Sequence, residues 1–201
     1  MSAARGLRVQ LLLWGFVFGC AAPVLAQAQG SDVSAAAAEE PGGERDFDFE
    51  FGTWTVKLKR LVEPLTGSTK WVEYEGTSVV RRVWGGRANL GELDVEGPTG
   101  RIVGLSLRLY DPGTREWRIH WANSRDGLLG PAMVGGFRDG RGEFYNQETF
   151  NGRSIFVRFI FSDITSRSFR LEQAFSADGG KSWEPNWIAT FARVSDEATG
   201  R

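Results

Sequence analysis

Several groups of side chains in this chain have types and spacings that chemistry could use. His120 and Ser124 suggest a base and a nucleophile. Glu148 with Asn123, Asn146 and Gln173 suggests a carboxylate among amides. Asp46, Asp48 and Glu50 recur at alternate positions, and residues 176–183 (Ser-Ala-Asp-Gly-Gly-Lys-Ser-Trp) form a compact polar run ending in an indole. His120 and Ser124 cannot couple on one strand, because four residues at roughly 3.3 Å each hold them about 13 Å apart. The three alternating carboxylates carry the charge for a hard cation such as calcium, but the other oxygen ligands of such a cage are not evident. They read instead as the wet face of a segment whose Phe47, Phe49 and Phe51 plug the floor of a fold, and no metal is expected. No nucleophile elbow, phosphate loop, dinucleotide fingerprint or metal-ligand motif occurs, so no catalytic residue is assigned and no cofactor is expected.

The elements that must position these residues are strands. Trp117, Ile119 and Trp121 alternate with Arg118, His120 and Ala122, and Phe169, Leu171, Gln173 and Phe175 alternate with Arg170, Glu172 and Ala174. Leu105, Leu107 and Leu109 alternate with Ser106, Arg108 and Tyr110. This two-residue period marks half-buried antiparallel strands, and no window of a dozen residues carries a helical stripe. Turn signals such as Asp139-Gly140 and Asn151-Gly152 divide the chain into about ten strands. Their expected spans are 52–62, 70–84, 87–95, 101–110, 115–123, 127–138, 141–149, 153–162, 167–176 and 182–194. Such an up-and-down meander stabilises itself best by closing into an all-β barrel, which leaves no open edge. Residues 155–161 are apolar on both faces except at Arg158, so that strand should lie under something and Arg158 should be paired.

The 201 residues are 41% hydrophobic and 24% charged, with a formal charge of −1. That composition is globular, and no basic excess points to nucleic acid. Arg5 and Arg8 followed by an apolar stretch over residues 11–25 read as an export signal, residues 1–26, too short and glycine-rich for a comfortable membrane span. Cys20, the single cysteine, would carry lipid if residues 17–20 served as a lipoprotein box; otherwise it leaves with the signal. Residues 27–44 hold four acidic residues and one large apolar one, the composition of a disordered tether, and residues 196–201 form a polar tail. The domain is then residues 45–195, expected in the periplasm or outside the cell, with no membrane span in the mature chain.

Gly52-Thr53-Trp54 opens the first strand after Phe47-Asp48-Phe49, and Arg193 lies near the end of the last. This arrangement resembles the calycin group, which includes lipocalins and fatty-acid-binding proteins. Together with residues 121–125, 150–153 and 183–187 it resembles an uncharacterised bacterial lipocalin-like family across nearly all of 45–195. The resemblance implies a barrel in which Trp54 sits at the closed end with Arg193 packed over it; it brings no activity. The long helix and disulfide of true lipocalins are missing. In haem-binding barrels of the nitrobindin kind a His holds the iron, and His120 alone could do so here, but it alternates away from Trp121. Residues 176–183 also match the Asp-box of sialidases, in one copy; the physical expectation is a hairpin turn capped by Asp178, with Gly179 and Gly180 in unusual dihedrals and Trp183 packing back.

Carrying the Trp54 face around the sheet turns Trp121, Asn123, Gln173 and Trp187 inward. On the strand near 143–150, either Asn146 and Glu148 or Tyr145 and Gln147 join them. Apolar walls with a few polar groups suit a small, largely apolar or amphipathic ligand. Two other readings stay open: an enzyme using a buried Glu148 as general acid or base, and a barrel filled by its own side chains that acts through its surface.

Overall fold

The computed structural model describes residues 42–198. The expected signal over 1–26 with Cys20, most of the tether and residues 199–201 lie outside them. Ten strands follow in chain order: β1 (Gly52–Leu61), β2 (Trp71–Val83), β3 (Ala88–Gly97), β4 (Gly100–Asp111), β5 (Glu116–Asn123), β6 (Met133–Arg138), β7 (Arg141–Phe150), β8 (Arg153–Ser162), β9 (Ser168–Ser176) and β10 (Glu184–Ser195). Each pairs antiparallel with the next, and β1 pairs with β10 from Thr53↔Ser195 to Arg60↔Trp187, so the sheet is a closed barrel. The turns behave as their residues require. Asp139-Gly140 and Asn151-Gly152 have both residues at positive φ, the hairpin geometry whose twist matches the strands.

β1 and β10 meet at the residues of the Gly-x-Trp motif. Gly52 has φ 121°, and a Cβ there would stand 2.3 Å from the Ser195 carbonyl oxygen, so only glycine lets the last strand approach. Trp54 is fully buried and donates its indole N–H to the Glu50 carbonyl at 2.7 Å. The Arg193 guanidinium lies 4.1 Å from the Trp54 ring centroid. It donates to the carbonyls of Ser166 at 2.7 Å and Phe51 at 2.6 Å, and to that of Phe49. One side chain thus ties β10 to the start of β1 and to the segment before it.

That segment closes this end of the barrel. Phe47 is fully buried, edge-on to Trp117, Phe137 and Phe161 at centroid distances of 5.0, 4.9 and 5.3 Å. Ordered contacts begin upstream of residue 45, since Gly43 accepts the Trp117 indole N–H at 2.8 Å. The acidic residues depart from the expected wet face. Asp48–Glu50 form a 3-10 turn, which advances about 120° per residue instead of the 180° of a strand, and Glu50 is carried to the interior. Asp48 stays outside beside Arg45 and Arg82. Among the described residues no three His, Cys, Asp or Glu side chains stand together to hold a metal ion, and no helix is long and apolar enough to cross a membrane.

One further strand differs from expectation. β6 begins at Met133, not 127. Before it Pro131 has no N–H to offer a ladder, and only Leu129 forms a bridge, to Ala122. On β4 the inward residues are Ile102, Gly104, Ser106 and Arg108, while Leu105, Leu107 and Leu109 sit half-buried on the outer face. On β8, Ile155 and Val157 face in. Arg158 finds its partners outside: its guanidinium lies 4.6 Å from the Trp183 ring centroid and 4.0 Å from the Glu172 carboxylate.

Trp183 reaches that position because residues 176–183 turn tightly. Asp178 accepts the Ser182 hydroxyl at 2.6 Å, the Ser176 hydroxyl at 2.8 Å, and the N–H groups of Lys181 and Ser182 at 3.0 Å each. The Ser182 hydroxyl above all, with these others, holds its carboxyl well below the usual carboxylate range. Gly179 and Gly180 take φ of 78° and 85°.

Truncating Trp54 removes a fully buried indole and the surface on which Arg193 rests. Trp54→Ala is expected to lower stability by about 3–5 kcal/mol, measured by urea denaturation. A loss below about 1 kcal/mol would contradict this account of the seam.

Candidate functional site

Inside the barrel lies a cavity of about 280 Å³. Its two sides differ in kind. β8, β9 and β10 present Phe159, Phe161, Phe169, Leu171, Trp187 and Phe191. Opposite them β2, β3 and β4 present the small or polar Ser78, Gly91, Ser106 and Arg108 together with Val80 and Leu93. Small residues on one wall facing rings on the other leave the space; side chains the size of those on β9 at Ser78, Gly91 and Ser106 would fill it.

Trp121 and Trp187 stand across one end with ring centroids 6.5 Å apart. Trp121 is held in place by a missing atom, since a Cβ on Gly104 would come within 2.0 Å of its ring. β5 and β6 pair only from Trp117↔Gly135 to Ile119↔Met133. Beyond Ile119 the wall is completed by Gly130 and Pro131, with the Gly130 N–H donating to the Trp121 carbonyl at 2.8 Å.

The polar members are of two sorts. Glu148 and Gln173 line the cavity but are already engaged: Asn146 Nδ2 donates to Glu148 Oε1 at 2.7 Å, and Gln173 Nε2 donates to Asn186 Oδ1 at 2.6 Å. Ser78 and Ser106 are buried and make no side-chain hydrogen bond to another described residue.

Arg108 and Glu50 close the far end. Both are buried, with Arg108 Nη1 2.6 Å from Glu50 Oε2. Nη1 also donates to Asn89 Oδ1 at 2.9 Å, and the guanidinium lies 5.0 Å from the Phe47 ring centroid. Its Nε–H is buried with no hydrogen-bond acceptor. Burial pushes the Glu50 carboxyl up and the Arg108 guanidinium down, and each charge opposes the other's shift.

Of the residues expected at a site, Trp121, Glu148, Gln173 and Trp187 line this cavity together. On β7 the phenylalanine-bearing alternative is the inward one: Phe144 is buried, Asn146 and Glu148 half-buried, Tyr145 and Gln147 exposed. Asn146 acts through Glu148 and does not itself line the cavity. Asn123 is spent on the turn after β5, where its Oδ1 accepts the Arg125 N–H at 3.0 Å. His120 is off the cavity, with Nδ1 3.1 Å from the Gly130 carbonyl. Sequence reasoning missed Arg108, Ser106, Ser78 and Glu50. The signal for the first two was present in the β4 alternation, which locates two faces without saying which one meets the interior.

No protein-family model matches the chain, and no curated protein sequence matches it. Similar chains occur among solved structures. The S-type phycobiliprotein lyase CPES from Guillardia theta is similar over 76% of this chain and 95% of its own, with a TM-score of 0.51 and 11% identity. The barrel EF1p2_mFAP2b, solved bound to DFHBI, aligns over 75% of this chain and 98% of its own at TM-score 0.41 and 11% identity. A fluorescence-activating β-barrel designed de novo aligns over 73% of this chain and 95% of its own, at TM-score 0.39 and 13% identity. At these identities the likeness concerns the fold alone.

The buried pair makes its own prediction. Glu50→Gln or Arg108→Met alone leaves one uncompensated buried charge and should cost about 3–5 kcal/mol each. Glu50→Gln with Arg108→Met removes both charges and should cost far less than the two single losses together. A double-mutant cycle by chemical denaturation checks this, and simple additivity would contradict the pairing.

Proposed function

We propose that this protein is an exported, calycin-like barrel that binds a small, largely apolar molecule in its interior. The observation that carries the reading is the cavity of about 280 Å³ with rings on one side and Ser78, Ser106 and Arg108 on the other. A barrel filled by its own side chains would have no such space, and its buried polar groups would be satisfied within the protein. Export rests on the amino-terminal residues, and the calycin kinship on Gly52, Trp54 and Arg193. Retention through a lipid on Cys20 is the alternative route to the envelope. Catalysis by Glu148 is the second reading of the same cavity. It is favoured by the carboxylate lining the cavity, and it requires Asn146 to orient the acid as well as anchor it.

A neutral aromatic probe tests the binding reading. N-phenyl-1-naphthylamine should bind saturably at one site and quench the indole fluorescence of Trp121 and Trp187. Trp121→Ala should weaken that binding by about tenfold or more while leaving Tm within a few degrees of the native value. Trp121 is half-buried at the cavity end, and Trp54 is the indole the fold rests on. Non-saturable binding, or equal affinity in the variant, would contradict the assignment.

A further inference from the structure

The far end of the cavity points to the kind of head group its ligand carries. We propose that the site selects a neutral hydrogen-bond acceptor, a ketone, ester or amide carbonyl, over a carboxylate, and that Glu50 is the residue that sets this choice. The inference rests on the binding reading above.

A buried arginine in an apolar cavity would ordinarily attract an anion. Here the anion is built in. Glu50 Oε2 stands 2.6 Å from Nη1, so the pair enters the cavity neutral. The same nitrogen serves Asn89 at 2.9 Å, and Phe47 lies against the guanidinium at 5.0 Å from its ring centroid. These contacts use the Nη1 side of the fork. Nη2 makes no hydrogen bond or ion pair with a described residue and is the donor left for a ligand, whereas Nε is buried without an acceptor. Arg108 itself lines the cavity.

A donor edge with its charge already balanced has a definite preference. A carbonyl oxygen placed at Nη2 gains a charge-assisted hydrogen bond and leaves the net charge of the interior unchanged. A carboxylate would gain the same bond but would add a second negative charge beside Glu50, in a site with Glu148 on another wall and no other cation among the described residues lining it. Ser78 and Ser106 add hydroxyls on the same small-residue wall, able to donate to the oxygen that the guanidinium holds. The aromatic wall opposite favours a flat apolar body behind that carbonyl.

Three molecules of one shape separate the possibilities: 2-acetylnaphthalene, 2-ethylnaphthalene and 2-naphthoate. They are compared by displacement of N-phenyl-1-naphthylamine at neutral pH. The native protein is expected to bind 2-acetylnaphthalene about tenfold tighter than 2-ethylnaphthalene, the scale of a hydrogen bond to a charged donor. 2-Naphthoate should bind most weakly. Glu50→Gln leaves Arg108 without its counter-charge and should reverse the order, placing 2-naphthoate first. Glu50→Gln with Arg108→Met should remove the preference for the acetyl over the ethyl compound, which keeps the test decisive if the single variant does not fold. Native protein that binds 2-naphthoate tightest would overturn the proposal, as would acetyl and ethyl compounds of equal affinity or an unchanged order in folded Glu50→Gln. In each of these cases the cavity would still bind, and the binding reading would stand. Failure of the probe and all three compounds to bind would instead refute the binding reading and this proposal with it.

Discussion

Closure of the barrel depends on one side chain more than on any other. Arg193 lies over the Trp54 ring, and its nitrogens reach three carbonyls, two of them in the segment that precedes β1. Without that clamp the first and last strands would keep their backbone ladder and the Thr55 and Thr190 hydroxyl bonds, but β10 would lose its side-chain tie to the segment before β1. Gly52 is part of the same device, because β10 approaches closer than any Cβ would permit. The cavity exists because the sheet is closed at this seam and stoppered at one end by Phe47.

The stopper also supplies chemistry. The segment that inserts Phe47 brings Glu50 to Arg108 and hands the Glu50 carbonyl to Trp54. A buried ion pair stabilises a fold weakly, since desolvation offsets most of its attraction. Its value here is that of a fixed, neutral, directional polar group at the end of an otherwise apolar space. The aromatic wall would hold many flat molecules alike, and the donor edge is what can tell them apart.

How far the residues themselves announced this differs by element. β1, β5 and β9 carry large apolar residues on most of the inward face and mainly polar ones outside, so period two reads directly, and the hairpin turns are written in Asp-Gly and Asn-Gly. β4 reads backwards. Its inward face is Ile102, Gly104, Ser106 and Arg108, because it borders a cavity and must leave room, while its leucines lie half-buried outside, with Leu107 opposite Leu90 of β3. Alternation locates two faces but does not say which one meets the interior when the interior is partly polar. Glu50 was hidden for another reason. Three residues of 3-10 turn break the strand period, and nothing in Asp-Phe-Glu distinguishes that turn from a strand. Asn123 sits on the face that alternation assigned to it, yet the turn beside it claims its amide.

The central claim is that the barrel interior is a binding site. Native mass spectrometry of the full chain, expressed into a bacterial periplasm and purified gently, followed by organic extraction, tests it most directly. The account predicts a bound species of defined mass, one per barrel, apolar in body and carrying a neutral carbonyl. A protein that leaves the periplasm bare, and that takes up no flat apolar molecule when offered one, would contradict it.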